Sequence, residues 1–158
     1  MSTLSEKAIE NAVKLASWVH NYIEVLKKEK AKDVEKYGSS LRTRARSFLE
    51  LLESSGFLPT FTFFYAKATE DVYRKVCQLL EEGKIEPVEV EEEKFGYAVF
   101  LHGISLFLEQ LGLIADHKCP RKTIEELKEG NRITLARNLL LPYVLELKKL
   151  SEALFKGG

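Results

Sequence analysis

Apolar residues recur at three- and four-residue steps along most of the chain, the spacing of amphipathic helices rather than strands. Leu4, Ala8, Ala12, Leu15, Val19, Tyr22 and Leu26 set the first stripe, and Ile9, Ala16 and Ile23 widen it. Thr3-Leu4-Ser5-Glu6 opens that helix as a capping box, and Lys27, Lys28 and Lys30 follow where cations complement the C-terminal dipole. A second stripe of Leu41, Ala45, Phe48 and Leu52, with Leu49 beside it, predicts a helix capped by Ser39 or Ser40 and stopped by Gly56. Pro59 fits the first position of a third, aromatic-rich helix carrying Phe61, Phe63, Phe64 and Tyr65. Thr69 caps a fourth, from Glu70 to Glu82, with Val72, Tyr73, Val76, Leu79 and Leu80 on its apolar side and Gly83 at its end.

Phe95 to Leu113 is apolar nearly all round, which marks it as the central element of a core. Thr123-Ile124-Glu125-Glu126 reads as a second capping box, opening a short helix closed by Gly130. The last helix spans about Thr134 to Phe155, and Pro142 is expected to kink it or divide it in two. Before Phe95, the stretch 83–94 alternates as Val88-Glu89-Val90-Glu91. A lone strand there would leave its backbone unpaired, so an extended acidic loop is expected. The pattern predicts an all-α fold, a single domain over 1–158 built as a bundle of about six or seven helices.

Composition narrows the class. At 158 residues and 45% hydrophobic, the chain has enough apolar surface for one core and is not disordered. Charge interrupts every apolar run before it reaches membrane-spanning length, and the first residues lack a secretory pattern. Cys77 and Cys119 are the only cysteines and are expected to stay as unrelated thiols in a reducing cytoplasm. Abundant Lys and Glu with a single Met point to a thermophilic source. The 24 basic and 24 acidic residues cancel, but unevenly. Glu81 to Glu93 contains seven acids and only Lys84 as a base, so 23 basic against 17 acidic residues remain elsewhere. A neutral chain can therefore present a basic face.

Candidate chemistry is sparse. His20 and His102 read as a helix-surface and a core histidine, with no nucleophile and orienting acid near them in sequence. Asp116-His117-Lys118-Cys119 falls short of the paired, closely spaced ligands of a structural zinc site. No glycine-rich phosphate loop is present. No catalytic residue, metal or cofactor is expected, and the chain is read as a non-enzyme. Cations are more suggestive. Arg42 and Arg46 lie one helical turn apart with Arg44 on the opposite flank, Lys67, Arg74 and Lys75 follow the aromatic helix, and Lys118, Arg121 and Lys122 gather before a helix start. Such clusters suit phosphate, although Glu50, Glu53, Glu70 and Asp71 offer competing ion pairs within the chain.

The order of segments resembles the small subunit of the type III-B CRISPR–Cas RNA-targeting (Cmr) effector complex. The carriers are the Leu41–Leu52 helix running into Ser54-Ser55-Gly56-Phe57-Leu58, then Phe61-Thr62-Phe63-Phe64-Tyr65-Ala66-Lys67. Val72-Tyr73-Arg74-Lys75-Val76-Cys77-Gln78-Leu79-Leu80 is similar to the family's next helix. Ile133-Thr134-Leu135-Ala136-Arg137, continuing through Leu147-Lys148-Lys149-Leu150, is similar to its closing one. The resemblance implies a non-catalytic antiviral-defence subunit that self-associates along a ribonucleoprotein filament and lines a basic groove near guide RNA and target RNA. Its partners would be the other subunits of a CRISPR effector complex, with no membrane involved. Small subunits of type III-A or archaeal type I complexes, or a helical protein–protein adaptor, are the alternatives. On this reading Arg42, Arg46, Lys67, Arg74, Lys75, Arg121 and Lys122 face RNA phosphates, and Glu89, Glu91 and Glu92 contact a neighbouring subunit.

Overall fold

The structure is a computed structural model that describes residues 3–83, 85, 90–129 and 132–157. Among them are seven helices and no strand: α1 (Leu4–Lys28), α2 (Glu35–Ser55), α3 (Phe57–Ala68), α4 (Glu70–Glu82), α5 (Glu92–Gln110), α6 (Pro120–Leu127) and α7 (Arg132–Leu154). The all-α expectation holds. α5 is the axis of the molecule: every residue from Phe95 to Ser105 is buried, because α2, α3 and α4 surround it while α1 and α7 close the remaining side.

Aromatic rings join these layers. Phe48 of α2, Phe64 of α3 and Phe100 of α5 meet at centroid distances of 5.0–5.5 Å. Phe107 of α5 stacks on Tyr143 of α7 at 5.0 Å. Burying each such ring contributes about 1.5–3 kcal/mol, and each pair adds about 0.5–1.5 kcal/mol. Two glycines of α5 let neighbours approach. A Cβ on Gly96 would run into Ser40 of α2, and one on Gly103 into the Tyr143 hydroxyl and Leu15.

Helix ends depart from the pattern where packing overrides local signals. Thr3 caps α1 as expected, its Oγ1 accepting from the Glu6 amide at 3.1 Å. α2 instead begins at Glu35, so Ser39 and Ser40 are not its caps. Gly38 sits inside it, pressed on Phe155 and Ile23. α3 starts at Phe57, making Pro59 its third residue, where the missing amide is still one of the unpaired first-turn donors. Thr69 does cap α4, and Gly83 ends it in the left-handed conformation at φ 66°. α5 starts at Glu92, three residues before Phe95, and its acidic first turn suits the helix dipole. The second capping box does not form. Pro120 at the first position opens α6, while Thr123 is buried inside it. Gly130 lies outside the described residues. α7 is one helix across Pro142 rather than two.

Candidate nucleic-acid interface

The seven candidate cations distribute over three neighbourhoods. At the end of α7, Arg42 reaches across from α2. Its Nη1 donates to the Phe155 carbonyl at 2.9 Å and the Glu152 carbonyl at 3.4 Å, capping the helix with a positive charge where its dipole is negative. Arg46 lies 4.0 Å from the Glu152 carboxylate, which Lys148 also approaches at 3.7 Å. Two cations and one carboxylate leave a net positive rim beside the capped end.

The second neighbourhood joins the α3 end, the α4 start and α6. Tyr65 donates to Glu70 at 3.2 Å, and Glu70 pairs with Arg74 at 3.5 Å on the same helix face. Burial, then the Glu70 hydrogen bond, holds the Tyr65 hydroxyl above its ordinary pKa, with Arg121 opposing, so Arg121 faces the same corner. Arg121 pairs with Glu125 at 3.8 Å one turn on. Lys75 and Lys122 are exposed and have no carboxylate within 4.0 Å among the described residues.

Lys67 occupies the third. Its ammonium lies 5.6 Å from the Phe63 ring centre, and Phe63 meets Tyr97 edge-on at 6.1 Å. Arg44 covers Tyr97 from the other helix layer, 4.4 Å from its ring centre, and is held by Glu93 at 3.9 Å. Phe63 is the aromatic that sequence periodicity could not separate from the core. An apolar ring on an aromatic-rich helix looks buried until the helix's neighbours are known.

The acidic candidates are partly engaged inside the chain. Glu92 pairs with Lys36 of α2 at 3.5 Å, Glu91 is exposed at the α5 N-cap, and Glu89 lies outside the described residues.

A polar cluster, buried at Cys77, His102 and His117 and open at Glu81 and Asp116, joins α4, α5 and the 111–119 turn. Cys77 Sγ and His102 Nδ1 share a hydrogen bond at 3.2 Å. Burial pushes the Cys77 thiol up to about 12, and burial with the adjacent His117 charge drives the His102 imidazole down to about 3. Near neutral pH the pair is a thiol and a neutral imidazole, the opposite of an activated nucleophile. His117 donates from Nε2 to Glu81 at 2.5 Å and from Nδ1 to Glu109 at 3.0 Å. Burial opposes its charge, but these hydrogen bonds outweigh it and raise its pKa. Asp116 brings a third carboxylate within 4.8 Å of Glu109 and His117. Both ring nitrogens are already taken by carboxylates, so the arrangement works as a clamp: Glu81 is in the last turn of α4, Glu109 in the last turn of α5, and the imidazolium ties both to the turn.

The chain matches no protein-family model and no curated protein. Among solved structures it matches, end to end, a chain of the type III-B Cmr-β complex bound to cognate target RNA and AMPPnP, at TM-score 0.71 and 23% identity, covering 98% of this chain and 97% of that one. A chain of the type III-B Cmr-β complex bound to non-cognate target RNA matches at TM-score 0.73 and 23% identity, covering 100% and 99%. At that identity the likeness is one of fold, along the whole length of both chains. No helix among the described residues is long and apolar enough to cross a membrane.

Proposed function

We propose that the chain is the non-catalytic small subunit of a type III-B CRISPR RNA-guided antiviral complex, acting in the cytoplasm. It stacks in several copies along the ribonucleoprotein filament and lines a basic groove that supports guide and target RNA. The observation that carries this reading is the whole-length fold match to chains of RNA-bound Cmr-β complexes. The Cys77–His102 pair supports the non-catalytic part, because burial disarms both groups.

Arg42, Arg46, Lys67, Arg74, Lys75, Arg121 and Lys122 contact phosphates without reading sequence, and Glu89, Glu91 and Glu92 meet a basic patch of the next subunit head to tail. Contacts of that heterologous kind generate open filaments. The test is direct. The full-length chain, incubated with single-stranded target RNA, binds weakly, loses affinity as salt rises and leaves the RNA intact. Cleavage by the purified chain, abolished by mutating one of its residues, overturns the reading. Reversing the charge of Glu89, Glu91 and Glu92 blocks assembly of copies, and unchanged assembly refutes the head-to-tail contact.

A further inference from the structure

Phe63 is 41% exposed, more than any other aromatic residue among those described. Its exposed neighbours on α3 are Pro59, Thr62, Ala66 and Lys67, so one ring stands among short side chains with a single long cation a turn away. Contacts with Tyr97 at 6.1 Å and Phe64 at 6.3 Å anchor the ring from the core side. Lys67 has no carboxylate within 4.0 Å among the described residues, so its charge is uncompensated, whereas nearby Arg44 is held by Glu93 and Tyr97. A fixed aromatic face beside an unpaired cation is the combination that holds single-stranded nucleic acid: any base stacks on the ring, and the cation takes its phosphate. The other large exposed apolar residues, among them Ile9, Leu135 and Leu145, belong to α1 and α7. On α3 only the short Pro59 and Ala66 adjoin Phe63 as exposed apolar residues, so no second large apolar side chain of that helix extends it toward the broad patch that a protein partner needs.

We propose that Phe63 and Lys67 form a stacking site for an unpaired nucleotide of RNA. The base lies on the Phe63 ring, and the flexible Lys67 stem swings its ammonium to the adjoining phosphate. This rests on the RNA-binding reading above and adds to it a base contact, which the cation candidates alone do not supply.

The test measures binding of the full-length chain to a short fluorescent oligouridine across a salt series, for the wild type and for Phe63→Leu, Phe63→Trp and Lys67→Ala. It is paired with photo-crosslinking of 5-iodouridine RNA in the assembled complex. Phe63→Leu weakens binding about tenfold with the salt slope unchanged, Phe63→Trp restores it, and Lys67→Ala reduces the slope by about 0.7. The crosslink maps to the peptide containing Phe63. If Phe63→Leu binds like the wild type while Lys67→Ala is weakened, the stacking site is refuted and the RNA-binding reading stands. If the wild type neither binds nor crosslinks, both fall. If Phe63→Leu keeps RNA binding but loses co-assembly with other subunits, the ring is a protein contact and the proposal is overturned.

Discussion

His102 and His117 lie with ring centres 5.2 Å apart, yet their surroundings drive them in opposite directions. His102 has a folded pKa of about 3 against an ordinary 6.5, so the unfolded chain binds the extra proton and stability falls as pH drops below 6.5. His117 has a folded pKa raised above 6.5 by Glu109 and Glu81, so its contribution is complete below 6.5 and is lost as pH rises through the folded value. Their contributions therefore oppose each other, the His102 cost appearing on the acid side and the His117 loss on the alkaline side. Denaturant titrations between pH 5 and 9 should show wild-type stability declining on the alkaline side, and His117→Gln should flatten that decline. An unchanged alkaline limb contradicts the clamp. Arg42 gives a second test at this scale. Removing its hydrogen bonds to the α7 end with Arg42→Ala should cost about 1–2 kcal/mol, seen as a melting temperature lower by about 2–8 °C. Lys75→Ala and Lys122→Ala, on exposed residues without a carboxylate partner among the described residues, should leave melting nearly unchanged.

Helices were legible wherever an apolar stripe met a strong local signal, as with Thr3, Thr69 and Gly83. The misplaced ends share one cause. Ser39, Ser40 and Thr123 are good caps in isolation, but Ser40 and Thr123 are needed inside the core, and Gly38 packs on Phe155, so α2 and α6 start earlier. Pro142 does not divide α7, which packs against both α1 and α2. Exposure was less legible than helicity. Ile9 fits the first helix's stripe yet is 45% exposed, since a stripe's edge is covered only if a neighbour happens to lie there. The candidate cations were legible as residue types but not as partners, because Arg42 meets its carbonyls from a helix more than a hundred residues away. At this scale the close approach at α5 is testable. Gly103→Ala drives a methyl group into Tyr143 and Leu15 and should destabilise by about 1–3 kcal/mol, whereas an alanine at exposed Thr62 should not.

For the whole molecule, the balance of charge decides what the surface does. Among the described residues, a chain neutral overall keeps Lys67, Lys75 and Lys122 free of carboxylates while turning Glu92 and Glu93 back onto α2. On the proposed function, the phosphate contacts are electrostatic and additive, each contacting cation carrying about 0.7 of the salt slope on single strands. The triple variant Lys67→Ala/Lys75→Ala/Lys122→Ala should lower the slope by about 2. A slope equal to the wild type's places the RNA elsewhere. The most direct measurement recovers a tagged copy from its native cell and identifies, by mass spectrometry and RNA sequencing, what comes with it. The account predicts the other subunits of a CRISPR effector complex, a guide RNA, and more than one copy of this chain per particle. Recovery of the chain alone, or with unrelated proteins and no guide RNA, would contradict it.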